Sequence, residues 1–229
     1  MSKKNTAATI ATIVVAVLAI ATTLFLLYQT SQQQIQDNQY NYVPSDEVNE
    51  EMNMNAVTLI KNNCEVFRIY LQYGLPHQAE PYNNVPEDGY YTVKSDNYKT
   101  ISDVEAVVNS TFVEKEAKRI LTNINGDNVA VYAEETDDDG NKGIGLDVSM
   151  VDENGRFKAI AYDYTWSNAK FTLHPKSNTE CDIIVELNPA EETSSDENAS
   201  SGSDDSNTKK VTANMLKVNG EWRLQKLVY

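Results

Sequence analysis

Residues 181–187, CDIIVEL, alternate Cys181, Ile183, Val185 and Leu187 with Asp182, Ile184 and Glu186. That period of two places one apolar row on the inner face of a half-buried strand. Twenty residues further on, KKVTANMLKV (209–218) continues the strand chemistry, and EWRLQKLVY follows the turn pair Asn219-Gly220. Asn-Gly supplies the positive φ angles that a tight hairpin needs, so 209–218 and 221–228 are predicted as paired antiparallel strands. Between 181–187 and 209–218 lies PAEETSSDENASSGSDDSNT (189–208), with six acids, no base and no large apolar residue. Such a segment has too little to bury to offset chain entropy. With strands on both sides, it reads as a disordered acidic insertion within one sheet.

Moving toward the N-terminus, the turn signals Asn154-Gly155, Asp139-Gly140 and Asn125-Gly126 separate further strand-like runs. Strands are expected near 128–135, 143–151, 156–166, 168–174 and 180–187, giving a meander-like sheet. Before residue 123 the period is helical. Val57, Ile60, Cys64, Phe67 and Leu71 fall on one helix face, and Gly74 and Pro76 stop the helix. Ser102-Asp103-Val104-Glu105 and Thr111-Phe112-Val113-Glu114 each match a capping box, predicting two more helices up to about residue 122.

The first 28 residues are of another kind. AATIATIVVAVLAIATTLFLLY (7–28) has no charge, Pro or Gly over 22 positions. A bilayer-spanning helix needs about 20 apolar residues. Lys3 and Lys4 precede the run, and no base follows it closely, so the positive-inside rule puts the N-terminus in the cytoplasm. A cleaved signal peptide is the alternative, but the run exceeds the usual apolar core of about 7–15 residues and no small-x-small site follows. The expected organisation is a cytoplasmic tail over 1–6, a transmembrane anchor over 7–28 and a polar Gln/Asn-rich stalk over 29–46. An extracytoplasmic domain occupies 47–229. The fold class is α+β: an N-terminal transmembrane helix, then helices packed on a curved antiparallel sheet. Location at the cell membrane in a single pass follows, with the bilayer as a partner through 7–28.

Charge narrows the functions. The chain has 34 acidic and 19 basic residues and a net charge of −15, and every acid lies after residue 28. That argues against nucleic acid and against anionic lipid surfaces as partners for the outer part. Catalysis finds few candidates. His77 and His174 are the only histidines, each beside a proline, and no nucleophile motif surrounds them. No metal-ligand spacing occurs, and no cofactor is implied. Asp137-Asp138-Asp139-Gly140-Asn141 fails as a calcium loop, because Lys142 and Val148 stand where Gly and Glu are required. The three acids fit a hairpin tip, able to steer toward a basic partner.

Two other sets stand out. Tyr162, Tyr164 and Trp166 alternate after Ile160, either as core or as the lining of a groove. Cys64 and Cys181, the only cysteines, lie on the inner faces of a helix and a strand. They form either a disulfide outside the cytoplasm or two buried thiols.

PEDGYYTVKSDNYKTISDVEAVVNSTFVEKEAKRIL (86–121) and the closing VNGEWRLQKLVY resemble the IseA-like inhibitors of cell-wall DL-endopeptidases. That family lies within a broader group of cystatin-like and nuclear-transport-factor-like α+β envelope domains. The resemblance implies a bacterial, non-catalytic protein that binds the catalytic domain of a peptidoglycan hydrolase and blocks its cleft. An envelope sensor or assembly module with a small-ligand pocket is the alternative. Asp137, Asp138, Asp139, Tyr162, Tyr164 and Trp166 are the partner-binding candidates.

Overall fold

A computed structural model describes residues 42–77, 89–136, 140–190 and 208–229. The apolar run 7–28, the stalk as far as residue 41, Asp137–Asp139 and residues 191–207 of the acidic insertion lie outside the described residues. The chain divides into two units, Met1–Val43 and Pro44–Tyr229, and every helix and strand among the described residues belongs to the second. No helix among the described residues is long and apolar enough to cross a membrane.

The architecture is α+β, with helices first and antiparallel sheet after them. Helix α1 (Asp46–Phe67) starts where Ser45 Oγ accepts the Val48 N–H at 3.4 Å, with Asp46 and Glu47 favourably placed in its first turn. Its buried stripe is Met52, Ala56, Leu59, Ile60, Asn63, Val66 and Phe67. This is rotated from the expected face: Val57 is outside at 55% exposure and polar Asn63 is fully inside. The helix ends in one turn of π-helix, Arg68–Gln72. There the Tyr132 hydroxyl donates to the Ile69 carbonyl at 2.5 Å and accepts from Leu75 N at 2.8 Å, satisfying polar groups the helix leaves open.

Helix α2 (Ile101–Thr111) is capped two residues earlier than expected, at Thr100 rather than Ser102. The Asp103 carboxylate accepts from the N–H groups of Lys99 and Thr100, each at 2.8 Å. Helix α3 (Glu114–Asn123) has no side-chain cap, because Thr111 instead donates to the Val107 carbonyl at 2.6 Å within α2. Both helices exist where the pattern put them, and local competition for the hydroxyls decided the caps.

The strands form two sheets where one was expected. The smaller is β1 (Tyr90–Thr92), β2 (Tyr132–Thr136) and β3 (Lys142–Asp147) in the order β1-β3-β2. The larger is a meander of β4 (Tyr164–Ser177), β5 (Glu180–Pro189), β6 (Lys209–Val218) and β7 (Glu221–Leu224). The predicted strand over 156–166 does not form as such. Val151 and Phe157 make a single bridge, and Ile160 N donates to the Leu71 carbonyl at the helix end, at 2.9 Å. Its hydrogen-bonding capacity goes to the helix terminus rather than to a ladder.

The central strand pairing is as the alternation requires. β5 runs against β6 from Glu180↔Leu216 to Leu187↔Lys209, with Cys181, Ile183, Val185 and Leu187 fully buried. Asn219 and Gly220 have φ of 53° and 87° and turn β6 into β7 in two residues. β7 stops at Leu224, short of the expected 228, because the last residues leave the sheet for the helices. Asn63 takes the Val228 backbone at both its N–H (3.0 Å) and its carbonyl (2.8 Å), and Glu116 accepts the Leu227 N–H at 2.9 Å. One continuous apolar core joins α1, α2, α3 and both sheets.

Candidate ligand-binding cleft

The ladder between β4 and β5 is broken at one place. Tyr164 pairs Pro189 and Thr165 pairs Asn188, but the next pair is Lys170 with Glu186. Trp166, Ser167, Asn168 and Ala169 therefore face Leu187 alone, a large bulge. Its sharpest residue is Asn168, with φ of 58°, a conformation Asn tolerates better than most residues. Bulges bend their strand and re-aim side chains.

At that bend opens a cleft of about 550 Å³. Its walls are Tyr162, Tyr164, Thr165, Ser167 and Asn168 from the β4 region, Asn188, Pro189 and Ala190 from β5, and Gln72 and Tyr73 from the end of the π-turn. Tyr73 is 62% exposed. Among the described residues, the lining contains no charged side chain, in a chain with 23% charged residues. By contrast, the cavity of about 500 Å³ bordered by α2, α3 and β2 is edged by Glu105, Glu114, Lys118 and Glu134, an ordinary solvated surface.

The aromatic wall is well anchored. Phe67 of α1 packs against Tyr162 with ring centroids 4.9 Å apart, and Tyr162 meets Tyr164 edge-on at 6.1 Å. Tyr229 stacks on Phe67 at 5.4 Å, so the C-terminal residue backs the same wall. Lys209 Nζ sits 5.1 Å and 5.3 Å from the Tyr162 and Tyr164 ring centroids, within cation–π reach. It also donates to the Tyr229 carbonyl at 3.3 Å. Burial pushes the Tyr162 phenol up to about 12, and its hydroxyl has no hydrogen-bond partner among the described residues. Tyr162 is therefore protonated and neutral in the wall.

Of the residues singled out by sequence, Tyr162 and Tyr164 line this cleft together. Trp166 does not; it is half-buried against the core, because the bulge breaks the alternation right after Thr165. Asp137–Asp139 lie outside the described residues, on the connection between the paired β2 and β3 (Thr136↔Lys142). Gln72, Tyr73, Asn168 and Asn188 carry no periodic signal in the sequence. The usable signal was Ser167-Asn168, two turn-prone residues interrupting a strand pattern.

Cys64 and Cys181 are free thiols, so the disulfide alternative is not realised. Register explains it. Cys64 neighbours Tyr162, beside the Tyr164↔Pro189 end of the sheet. Cys181 lies eight residues back along β5, roughly 25 Å away at about 3.3 Å per residue. Burial raises both thiols, Cys64 to about 12 and Cys181 to about 11, which keeps them protonated and unreactive.

His77 places both ring nitrogens near backbone carbonyls, Nδ1 3.0 Å from Leu75 O and Nε2 3.2 Å from Gly155 O. It acts as a strut between two loops. His174 is within β4, paired with Asp182. Among the described residues, no group of three or more His, Cys, Asp or Glu is placed to hold a metal ion. No family model matches the chain, and no curated protein matches it.

Proposed function

We propose that the chain is a membrane-anchored, extracytoplasmic binding protein of a bacterial envelope, working without catalysis through the cleft at the β4 bulge. The observation that carries this reading is the cleft itself: three tyrosines and five uncharged polar side chains converge on about 550 Å³. Sites of this size with a few convergent polar groups are where small ligands bind, roughly 300–1,000 Å³. The apolar run 7–28 behind Lys3 and Lys4 supports the anchor and the orientation. A more specific version, in which the domain restrains cell-wall DL-endopeptidases, is favoured by the resemblance of 86–121 and by an acidity suited to a basic catalytic cleft.

A photo-crosslinking residue placed at Tyr73 in living cells tests both. The expected product is an envelope adduct at position 73 and none at Lys115, on the exposed side of α3. An adduct with a peptidoglycan hydrolase supports the restraining version; an adduct with wall material or a small envelope molecule supports ligand capture alone. Cytoplasmic adducts, or none at position 73, overturn the proposal.

A further inference from the structure

The chemistry of the cleft also selects a ligand class. We propose that it takes an uncharged saccharide, an inference that rests on the cleft being the binding site. Three features lead there.

Among the described residues, the lining offers an ionic ligand no counter-charge. Of the described cations beside the wall, Lys209 is engaged by the Tyr162 and Tyr164 rings and by the Tyr229 carbonyl, and Arg68, 5.8 Å from the Tyr73 ring centroid, is paired with Glu65 at 3.2 Å. A purely apolar ligand would instead desolvate amides and hydroxyls without replacing their hydrogen bonds. The ligand must therefore be neutral and rich in hydrogen-bonding groups.

Those polar groups are of one kind. Side-chain amides and hydroxyls both donate and accept, and so does every hydroxyl of a sugar. Gln72 and Asn168 have no side-chain partner among the described residues, and Asn188 spends only Nδ2, on the Ser167 carbonyl at 3.4 Å. Thr165 Oγ1 accepts the Ser167 N–H at 3.1 Å and so, with Asn188, serves the bulge's own backbone, whereas Gln72 and Asn168 do not.

The remaining wall is aromatic and flat. A pyranose ring has a C–H face and a polar perimeter, so it can lie on a tyrosine face while its hydroxyls reach amides at the edge. Tyr73, 62% exposed with Arg68 over one side of its ring, and the half-buried Tyr164, with Lys209 over one side of its ring, are the two platforms. The arrangement fits a short run of sugar units. N-acetylated wall glycans and plain glucans share this chemistry, and the test separates them.

The full chain, held in a zwitterionic detergent without a sugar headgroup, is titrated with the tetramer of N-acetylglucosamine and, separately, with maltotetraose. Saturation-transfer NMR and calorimetry are the readouts. Saturable binding of at least one is expected, with transfer strongest at the ring C–H protons in the wild-type chain. Raising the salt to about 0.5 M should leave the affinity within about twofold, because no ion pair is involved. Tyr73→Ala and Asn168→Gly should each weaken binding about tenfold, the loss of one good contact. Tyr73 is on the surface, and glycine accepts the positive φ at 168 without steric strain at a modest entropic cost, so both variants are expected to keep the fold. The N-acetylated tetramer binding alone assigns the site to wall glycan, and maltotetraose binding alone or equally assigns it to glucans in general. No saturable binding of either, binding lost in salt, or binding unchanged in both variants overturns the inference. An adduct at position 73 with no saccharide binding overturns this inference and leaves the proposed function standing. Saccharide binding without an adduct does the reverse.

Discussion

Two buried polar side chains, Asn63 and Glu116, decide how the chain ends. Neither belongs on a helix's inner face by hydropathy, yet both are buried because the last residues bring backbone groups that need partners. Glu116 is also held by Arg119, at 2.9 Å from Nε and 2.8 Å from Nη2. Burial by itself would raise its carboxyl, but the Arg119 hydrogen bonds, the Leu227 N–H and the nearby positive charge of Lys226 together hold it below the ordinary value. A carboxyl depressed in the folded state stabilises it fully above the unfolded-state pKa, and that contribution is lost as the pH falls through the folded value. Glu116→Gln should therefore lower stability near pH 7 and make the acid limb of the stability curve shallower than in the wild-type chain. Unfolding midpoints between pH 7 and about pH 3 measure this, the lower bound lying under the ordinary glutamate range. An acid limb identical in the two proteins would refute the assignment.

At the scale of elements, the junction after α1 is the point on which several parts depend. The helix, the 158–163 segment and β2 meet where Leu71 accepts from Ile160, and Tyr132 bridges Ile69 and Leu75. Gly74 turns the chain there with φ of 68°, and a Cβ at that position would stand 2.5 Å from the Phe157 ring. Two costs combine in Gly74→Ala: backbone strain of about 1–3 kcal/mol and overpacking of about 1–3 kcal/mol. Loss of roughly 2–6 kcal/mol is expected in urea unfolding followed by tryptophan fluorescence. Adding Phe157→Leu should recover only the packing part, and full additivity of the two substitutions would show that the ring is not the obstacle. The same junction sets Gln72 and Tyr73 against the β4 bulge, so a weakened turn should also loosen the cleft.

For the whole molecule, the consequential quantity is the distance between parts that the sequence suggested were together. Cys64 and Cys181 lie toward opposite ends of β5, and a disulfide requires Cα atoms within about 7 Å. Treating the native full chain with a mild oxidant should therefore give no internal disulfide. Both thiols should label slowly in the native protein and quickly in denaturant. An internal disulfide formed without unfolding would refute the register of the β4–β5–β6 meander. On the proposed topology, the tether would confine the cleft close to the membrane face of the wall and raise its effective concentration there.

Reading along the chain was enough for the α+β class, the inner row of β5, the β6–β7 hairpin and the existence of the three helices. Each follows from a local period or from turn chemistry confined to a few adjacent residues. The N-terminal apolar run and the acid excess are likewise plain in the sequence, as is the aromatic pair Tyr162 and Tyr164. What periodicity could not supply was partnership: two sheets instead of one, Asn63 instead of Val57 on the inner face of α1, and the last residues bound to helices instead of extending β7. The cleft belongs to that second group. It exists because a bulge after Thr165 swings Ser167 and Asn168 toward Tyr73, nearly a hundred residues earlier. Local preference fixes which element a segment forms, whereas burial and hydrogen-bond satisfaction across the molecule decide which face it presents and to what.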